Sequence, residues 1–289
     1  MTPAHVVQFE TPKGVLLHGL WFGPKKPKRA VVLVHGLTSS AFSVARVLGL
    51  VDKYTAVLSF NNRGYGVVNQ VKKVKGVKTE FILAGSAHEL FTDCVDDIEG
   101  ALRFVRAQKV RQLYLVAHST GCQKSVYFAS RGNTKNLKGI MLLAPISDYA
   151  SQKGMDRNGA LQKGVALARR LVRAGRPHTL MPKELAGVFS CDAQRFLSLY
   201  TPESVEEVFP YAHARTPKAL RSITTPILLV LAEKDEYSDR SAIKIAEWFS
   251  NHTRTLRVDI ITDSNHFFKK KEKQLTKVMR IFLEQTIKA

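Results

Sequence analysis

The sequence predicts an α/β protein built on a mostly parallel, eight-stranded, doubly wound sheet, with one helical segment inserted late in the chain. Three observations carry this expectation. Short apolar runs alternate with longer segments of helical period. The later runs are apolar without interruption, as in Ile227-Leu228-Leu229-Val230-Leu231, which is how strands read when helices cover both sheet faces. The alternation then breaks once, between residues 150 and 225.

In chain order, strands are expected at 6–9, 16–21, 30–34, 55–60, 113–117, 139–143, 227–232 and 257–261. Helices are expected at 40–51, 89–108, 120–130, 241–250 and 275–287. The second of these has the clearest period, with Leu90, Cys94, Ile98, Ala101, Leu102 and Val105 recurring at steps of three and four. Residues 150–225 offer only helical pieces, punctuated by Gly154, Gly159, Gly175, Pro177, Pro182, Pro202 and Pro217. That stretch is too long for a plain connection. It is read as an inserted, mostly helical cap, with 1–149 and 226–289 forming the core. The chain shows no internal repeat and no low-complexity tract.

Composition narrows the class. At 289 residues, 45% hydrophobic and 24% charged, with a mean hydropathy of -0.11, the chain can bury a large core. Disordered, collagen-like and disulfide-scaffold classes are excluded. No apolar run approaches the roughly 18 residues of a membrane span. The start, Met1-Thr2-Pro3-Ala4-His5, has neither the basic nor the apolar region of a secretory leader. Cys94, Cys122 and Cys191 are scattered without metal-binding or disulfide spacing, so a cytoplasmic location is expected. A net charge of +20 favours acidic partners. The basic residues, however, lie in four separate clusters at 25–29, 72–78, 169–176 and 269–277, with no nucleic-acid-binding motif among them. They are read as a solvated surface, with no specific nucleic acid and no membrane insertion expected.

The chemistry is concentrated at strand ends. Leu113-Tyr114-Leu115-Val116-Ala117-His118-Ser119-Thr120-Gly121 runs from a strand through x-x-S-x-G into a helix. In such an elbow a serine sits on a sharp turn, its hydroxyl clear of the sheet, and small neighbours allow strand and helix to approach. Ala117 stands where glycine is usual, and Gly121 is retained. Upstream, Val31-Val32-Leu33-Val34-His35-Gly36-Leu37-Thr38 is a buried strand entering His-Gly. The Leu37 and Thr120 amides are the expected oxyanion hole. A serine needs a base, and the base an orienting carboxylate. Asp235 follows the apolar strand ending at Ala232, and His266 lies in the loop after the last strand. The order Ser119, Asp235, His266 places all three at the carboxyl edge of the sheet. Neither a metal nor an organic cofactor is required.

Other candidates receive structural readings. His35 is expected to hold its turn, and His88 and His118 to serve packing. Asp148 is a second possible orienting acid. Asp239 and Asp263 read as loop caps or solvated charges, Asp93, Asp96 and Asp97 as a polar helix face, and Cys122 as a small buried side chain.

With these residues in place, the sequence resembles the α/β-hydrolase superfamily over essentially its whole length. Asn61-Asn62-Arg63-Gly64-Tyr65-Gly66 is similar to that family's D-x-R-G-x-G turn, with Asn61 in place of Asp. Phe60-Asn61-Asn62-Arg63-Gly64, together with Ala87-His88-Glu89-Leu90-Phe91-Thr92-Asp93-Cys94, resembles the DUF1749 group, whose fungal members include siderophore-ester hydrolases. The resemblance implies a serine esterase acting on a small-molecule ester through an acyl-enzyme. Thioesterases, lipases, carbon–carbon bond hydrolases and non-catalytic binding proteins share the fold. Substrate choice is expected in the cap, which offers Phe189, Phe196, Tyr200, Phe209 and Tyr211 for apolar contact, at least half of them read as the cap's own small core. Its cluster Arg169, Arg170, Arg173 and Arg176 would suit an anionic acyl group.

Overall fold

All eight apolar runs become strands of one sheet in the computed structural model, which describes residues 2–156, 158–187 and 189–288. They are β1 (Ala4–Glu10), β2 (Leu16–Phe22), β3 (Arg29–Val34), β4 (Thr55–Phe60), β7 (Gln112–His118), β8 (Leu137–Leu143), β9 (Ile227–Ala232) and β10 (Leu256–Ile261). β5 (Asn69–Lys75) and β6 (Lys78–Ala84) form a separate hairpin. The sheet order is β1-β2-β4-β3-β7-β8-β9-β10. β1 and β2 pair antiparallel, as do β2 and β4, and every later neighbour is parallel. Chain direction across the sheet reverses between β3 and β7, so the carboxyl ends of those two strands flank the crevice where such sheets bind ligands.

Both faces are covered, which is why the strands lack polar alternation. Ala30, Val32, Val34, Leu113, Leu115 and Ala117 point into a core shared with α2 (Cys94–Ala107), α3 (Thr120–Ala129) and α8 (Ala242–His252). Their neighbours Val31, Leu33, Tyr114 and Val116 point the other way. There they meet α1 (Ala45–Leu48) and α9 (Glu272–Lys288) through Val47, Leu275, Met279 and Phe282. Each such side chain contributes about 1.5–3 kcal/mol of burial.

Three expectations are revised. The helix expected over 40–51 shrinks to α1, because side chains capture the preceding backbone: Ala41 N–H donates to Asn61 Oδ1 at 2.7 Å and Phe42 N–H to Ser40 Oγ at 3.3 Å. The helix expected from 89 starts at Cys94, after a 3₁₀ turn over Phe91–Asp93. Glu89 is instead drawn inward to the buried Lys124 ammonium. The hairpin β5–β6 was hidden in a lysine-rich stretch, where the charges mask the strand pattern.

The excursion between β8 and β9 holds α4 (Asp148–Met155), α5 (Ala160–Arg173), α6 (Ala193–Tyr200) and α7 (Lys218–Ser222), and no strand among its described residues. Ala168, Met181, Cys191, Phe196 and Leu199 form a core of their own. Val208, Phe209 and Tyr211 return to the main core. Among the described residues, no helix is long and apolar enough to cross a membrane.

Buried ions fasten these layers. The polar helix face read at Asp93, Asp96 and Asp97 is turned inward. Asp96 and Asp97 are buried and, with Asp93, surround Arg63, whose Nε donates to Asp97 Oδ1 at 2.6 Å. Arg195 of α6 is fully buried, pairing with Glu206 and, at 3.1 Å, with Glu89. Removing the shared cation from buried carboxylates leaves them uncompensated. Arg63→Met is therefore expected to lose about 3–5 kcal/mol of stability, measured by urea unfolding.

Candidate active site

β7 ends at His118, and the chain turns so sharply into α3 that Ser119 adopts φ 55°, ψ -127°. A non-glycine residue there carries strain of order 1–3 kcal/mol, so its surroundings must hold it. They do so through the backbone: Ser119 N–H donates to Leu143 C=O at 3.0 Å, and Cys122 N–H to Ser119 C=O at 2.8 Å. Two glycines permit the packing. A Cβ at Gly121 would lie 2.2 Å from the Val34 carbonyl oxygen, and one at Gly36 would lie 3.0 Å from Ser119 Cβ. Ala117, where glycine was expected, is accommodated in full burial.

His266 follows β10 and is held from several sides. Its Nδ1 lies 2.8 Å from Asp235 Oδ2. An ionised carboxylate only accepts, so Nδ1 carries the proton and Nε2 is left with a lone pair. The His266 amide donates to Glu236 Oε2 at 2.9 Å, and its carbonyl accepts from His118 Nε2 at 2.9 Å. Tyr237 packs edge-on against the imidazole at 4.9 Å, while its amide donates to Asp235 Oδ1 at 3.0 Å.

Ser119, His266, Leu37 and Thr120 line one cavity of about 240 Å³. Among the described residues, neither the Leu37 nor the Thr120 amide donates a hydrogen bond; the latter is one of the orphan N–H groups of a helix start. Asp148 also lines the cavity but does not pair with His266. It accepts from Gln123 Nε2 at 2.7 Å, and burial next to Glu206 pushes its carboxyl well above the usual range. The excursion contributes Ser151, Gln152, Phe189 and Tyr200 to the wall. Phe196, Phe209 and Tyr211 are core residues, the first in the excursion's own core and the other two in the main one. The arginines at 169, 170, 173 and 176 do not line the cavity; the guanidinium that does is Arg46 of α1, whose Nε donates to the uncharged Phe267 carbonyl at 3.0 Å.

The remaining candidates take structural places. Asp263 pairs with Lys234 at 2.6 Å and Asp239 with Arg240 at 2.8 Å. The Cys122 thiol is buried, 3.4 Å from the Ala117 carbonyl oxygen. Burial, with Arg46 and His266 nearby, drives the His118 imidazole well below its usual range, so it is neutral and donates from Nε2. Sequence reading missed Arg46, Glu236, Tyr237 and Phe267. The last three flank Asp235 and His266 in the chain, so adjacency was an available signal; Arg46 had none.

His35 supports the turn after β3. Its Nδ1–H donates to the Gly36 carbonyl at 2.9 Å, and its Nε2 accepts from Asn62 N–H at 3.3 Å. Burial, then the Lys124 charge, lowers it to about 4. The folded form thus resists protonation that the unfolded chain accepts near 6.5. Its contribution is fully present above that pH and lost as pH falls toward 4. Between pH 7 and 4.5 the wild type should lose about 2–3 kcal/mol more stability than His35→Gln, compared by urea unfolding at both pH values.

Comparison with known proteins agrees with this architecture. A siderophore hydrolase, EstB from Aspergillus fumigatus, superposes with a TM-score of 0.75 at 16% identity, covering 100% of this chain and 99% of that one. Est1E from Butyrivibrio proteoclasticus, solved with ferulic acid bound, gives 0.65 at 15% identity over 98% and 100%. The Pyrococcus furiosus esterase Pf2001 gives 0.57 at 14% identity over 96% and 91%. No curated protein sequence matches. The family described as DUF1749, a protein of unknown function, matches residues 21–285. The chain has the α/β-hydrolase fold and belongs to the DUF1749 family.

Proposed function

We propose that this protein is a serine hydrolase that cleaves carboxylic esters. The observation that carries the reading is Ser119, strained at an elbow, sharing a cavity with a histidine whose Nδ1 is fixed on Asp235 at 2.8 Å. His266 Nε2 takes the hydroxyl proton as Ser119 Oγ attacks the ester carbonyl. Asp235 keeps the imidazole in the required tautomer and stabilises its cation. The Leu37 and Thr120 amides receive the oxyanion, each worth about 3 kcal/mol in the transition state. His266 then protonates the departing alcohol, and water activated by the same imidazole releases the acid from Ser119. The solved relatives named as esterase and siderophore hydrolase support this reaction class.

Residues 150–225 act as the cap, lending Phe189 and Tyr200 as apolar wall. The cavity volume is below the roughly 300–1,000 Å³ of drug-sized pockets, which suits a small acyl or alcohol group. Arg46 makes that group an anionic or strongly polar one. Its guanidinium is partly desolvated, with the Glu272 charge nearby, and its Nε is bound to a neutral carbonyl, so the terminal N–H groups are offered to a carboxylate or phenolate.

A fluorophosphonate probe is expected to label the wild type and not Ser119→Ala, and ester turnover should fall at least about a thousandfold in that variant. A folded wild type that does not label would remove the activated serine. For paired aryl esters differing only in an acyl carboxylate, Arg46→Gln should reduce kcat/KM for the anionic member by roughly 10–100-fold while sparing the neutral one. Equal losses on both would remove the anion-binding role.

A further inference from the structure

Away from the cavity, three side chains with metal-ligating atoms converge where the excursion meets the core. Asp192 is fully buried at the start of α6, His88 lies between β6 and α2, and His178 follows α5. Both His88 Nδ1 and His178 Nδ1 lie 2.9 Å from the same oxygen, Asp192 Oδ2. All three ligand atoms fall within 4.8 Å of one another. We propose that His88, His178 and Asp192 bind a divalent transition-metal ion of the zinc class.

The ligand chemistry fits such an ion, for which imidazole nitrogen and carboxylate oxygen are standard donors. Tetrahedral ligands about 2.05 Å from one ion lie about 3.3 Å apart, so the two 2.9 Å N···O hydrogen-bond separations open by a few tenths of an ångström to admit it. The main chain fixes the donors before any ion arrives. Asp192 N–H donates to Ala87 C=O at 2.9 Å, next to His88. Ala193 N–H donates to Thr179 C=O at 2.9 Å, next to His178. Asp192 Oδ1 is occupied by the Arg195 amide at 2.7 Å, which orients the carboxylate so that Oδ2 faces the two rings. His178 is largely exposed, leaving room for water to complete the coordination.

Without an ion, each neutral ring donates its Nδ1 proton to Asp192. On binding, each proton moves to Nε2 and each Nδ1 lone pair bonds the metal, while Asp192 stays anionic, so the neutral rings release no net proton. The ion would clasp residues 178 and 192 of the excursion to residue 88 of the core.

The test uses the full chain, stripped with chelator and titrated with Zn²⁺ at pH 7.5 by calorimetry and thermal melting. Wild type and Ser119→Ala should each bind one ion and gain about 5 °C in Tm at a free-ion concentration about a hundredfold above Kd. His178→Ala should bind at least about tenfold more weakly and, at the same free-ion concentration, keep no more than about half of that gain. His88→Gln provides a second variant should the first fail to fold. Two outcomes overturn the site: no binding by the wild type, which leaves only the hydrogen-bonded trio, or undiminished binding by the histidine variants, which places the ion elsewhere.

Discussion

The close approach of α3 to the end of β3 governs most of what lies around the cavity. A single methyl group at Gly121 would sit 2.2 Å from the Val34 carbonyl, so helix and strand meet at the backbone itself. That contact forces the turn at Ser119 into positive φ and sets its side chain in the crevice between β3 and β7. The same turn brings Gly36 against Ser119 Cβ, with His35 tying the Gly36 carbonyl beneath it. Strain at one residue persists where the surrounding backbone contacts over-determine it, as they do here.

A second organising feature is charge inside a basic protein. The buried charges are mostly carboxylates, so the basic excess lies outside the core, yet the interior also sets Lys124 and Arg195 against Glu89 and Glu206. Glu89 is the shared member, held low by those two cations despite the opposing cost of its burial. Lys124 belongs to the elbow helix and Arg195 to α6, so one carboxylate links the serine-bearing element to the excursion. Such networks stabilise little in net terms, but each member becomes costly to remove.

Much of this was legible in the sequence, for physical reasons. Buried parallel strands announce themselves by uninterrupted apolar runs, and all eight were placed within about two residues. The placement of Ser119, Asp235 and His266 at one edge of the sheet could be read because each follows a strand within about five residues, and the ends of parallel strands converge. The hairpin β5–β6 could not, since half-exposed strands rich in lysine lose the alternation that marks them. The helix expected before α1 failed because Asn61 and Ser40 compete for its first amides, one of them from twenty residues away. Arg46 is exposed only to tertiary logic, as it reaches the cavity through the Phe267 carbonyl more than two hundred residues later. The meeting of His88 with Asp192 across 104 residues is of the same kind.

The position of Arg195 has a mechanical consequence. One guanidinium binds the Ser86 carbonyl, Glu89 and Glu206, so α6 is riveted to the core at its first turn. Lifting it would expose three ions at once, which makes such an open state rare at equilibrium.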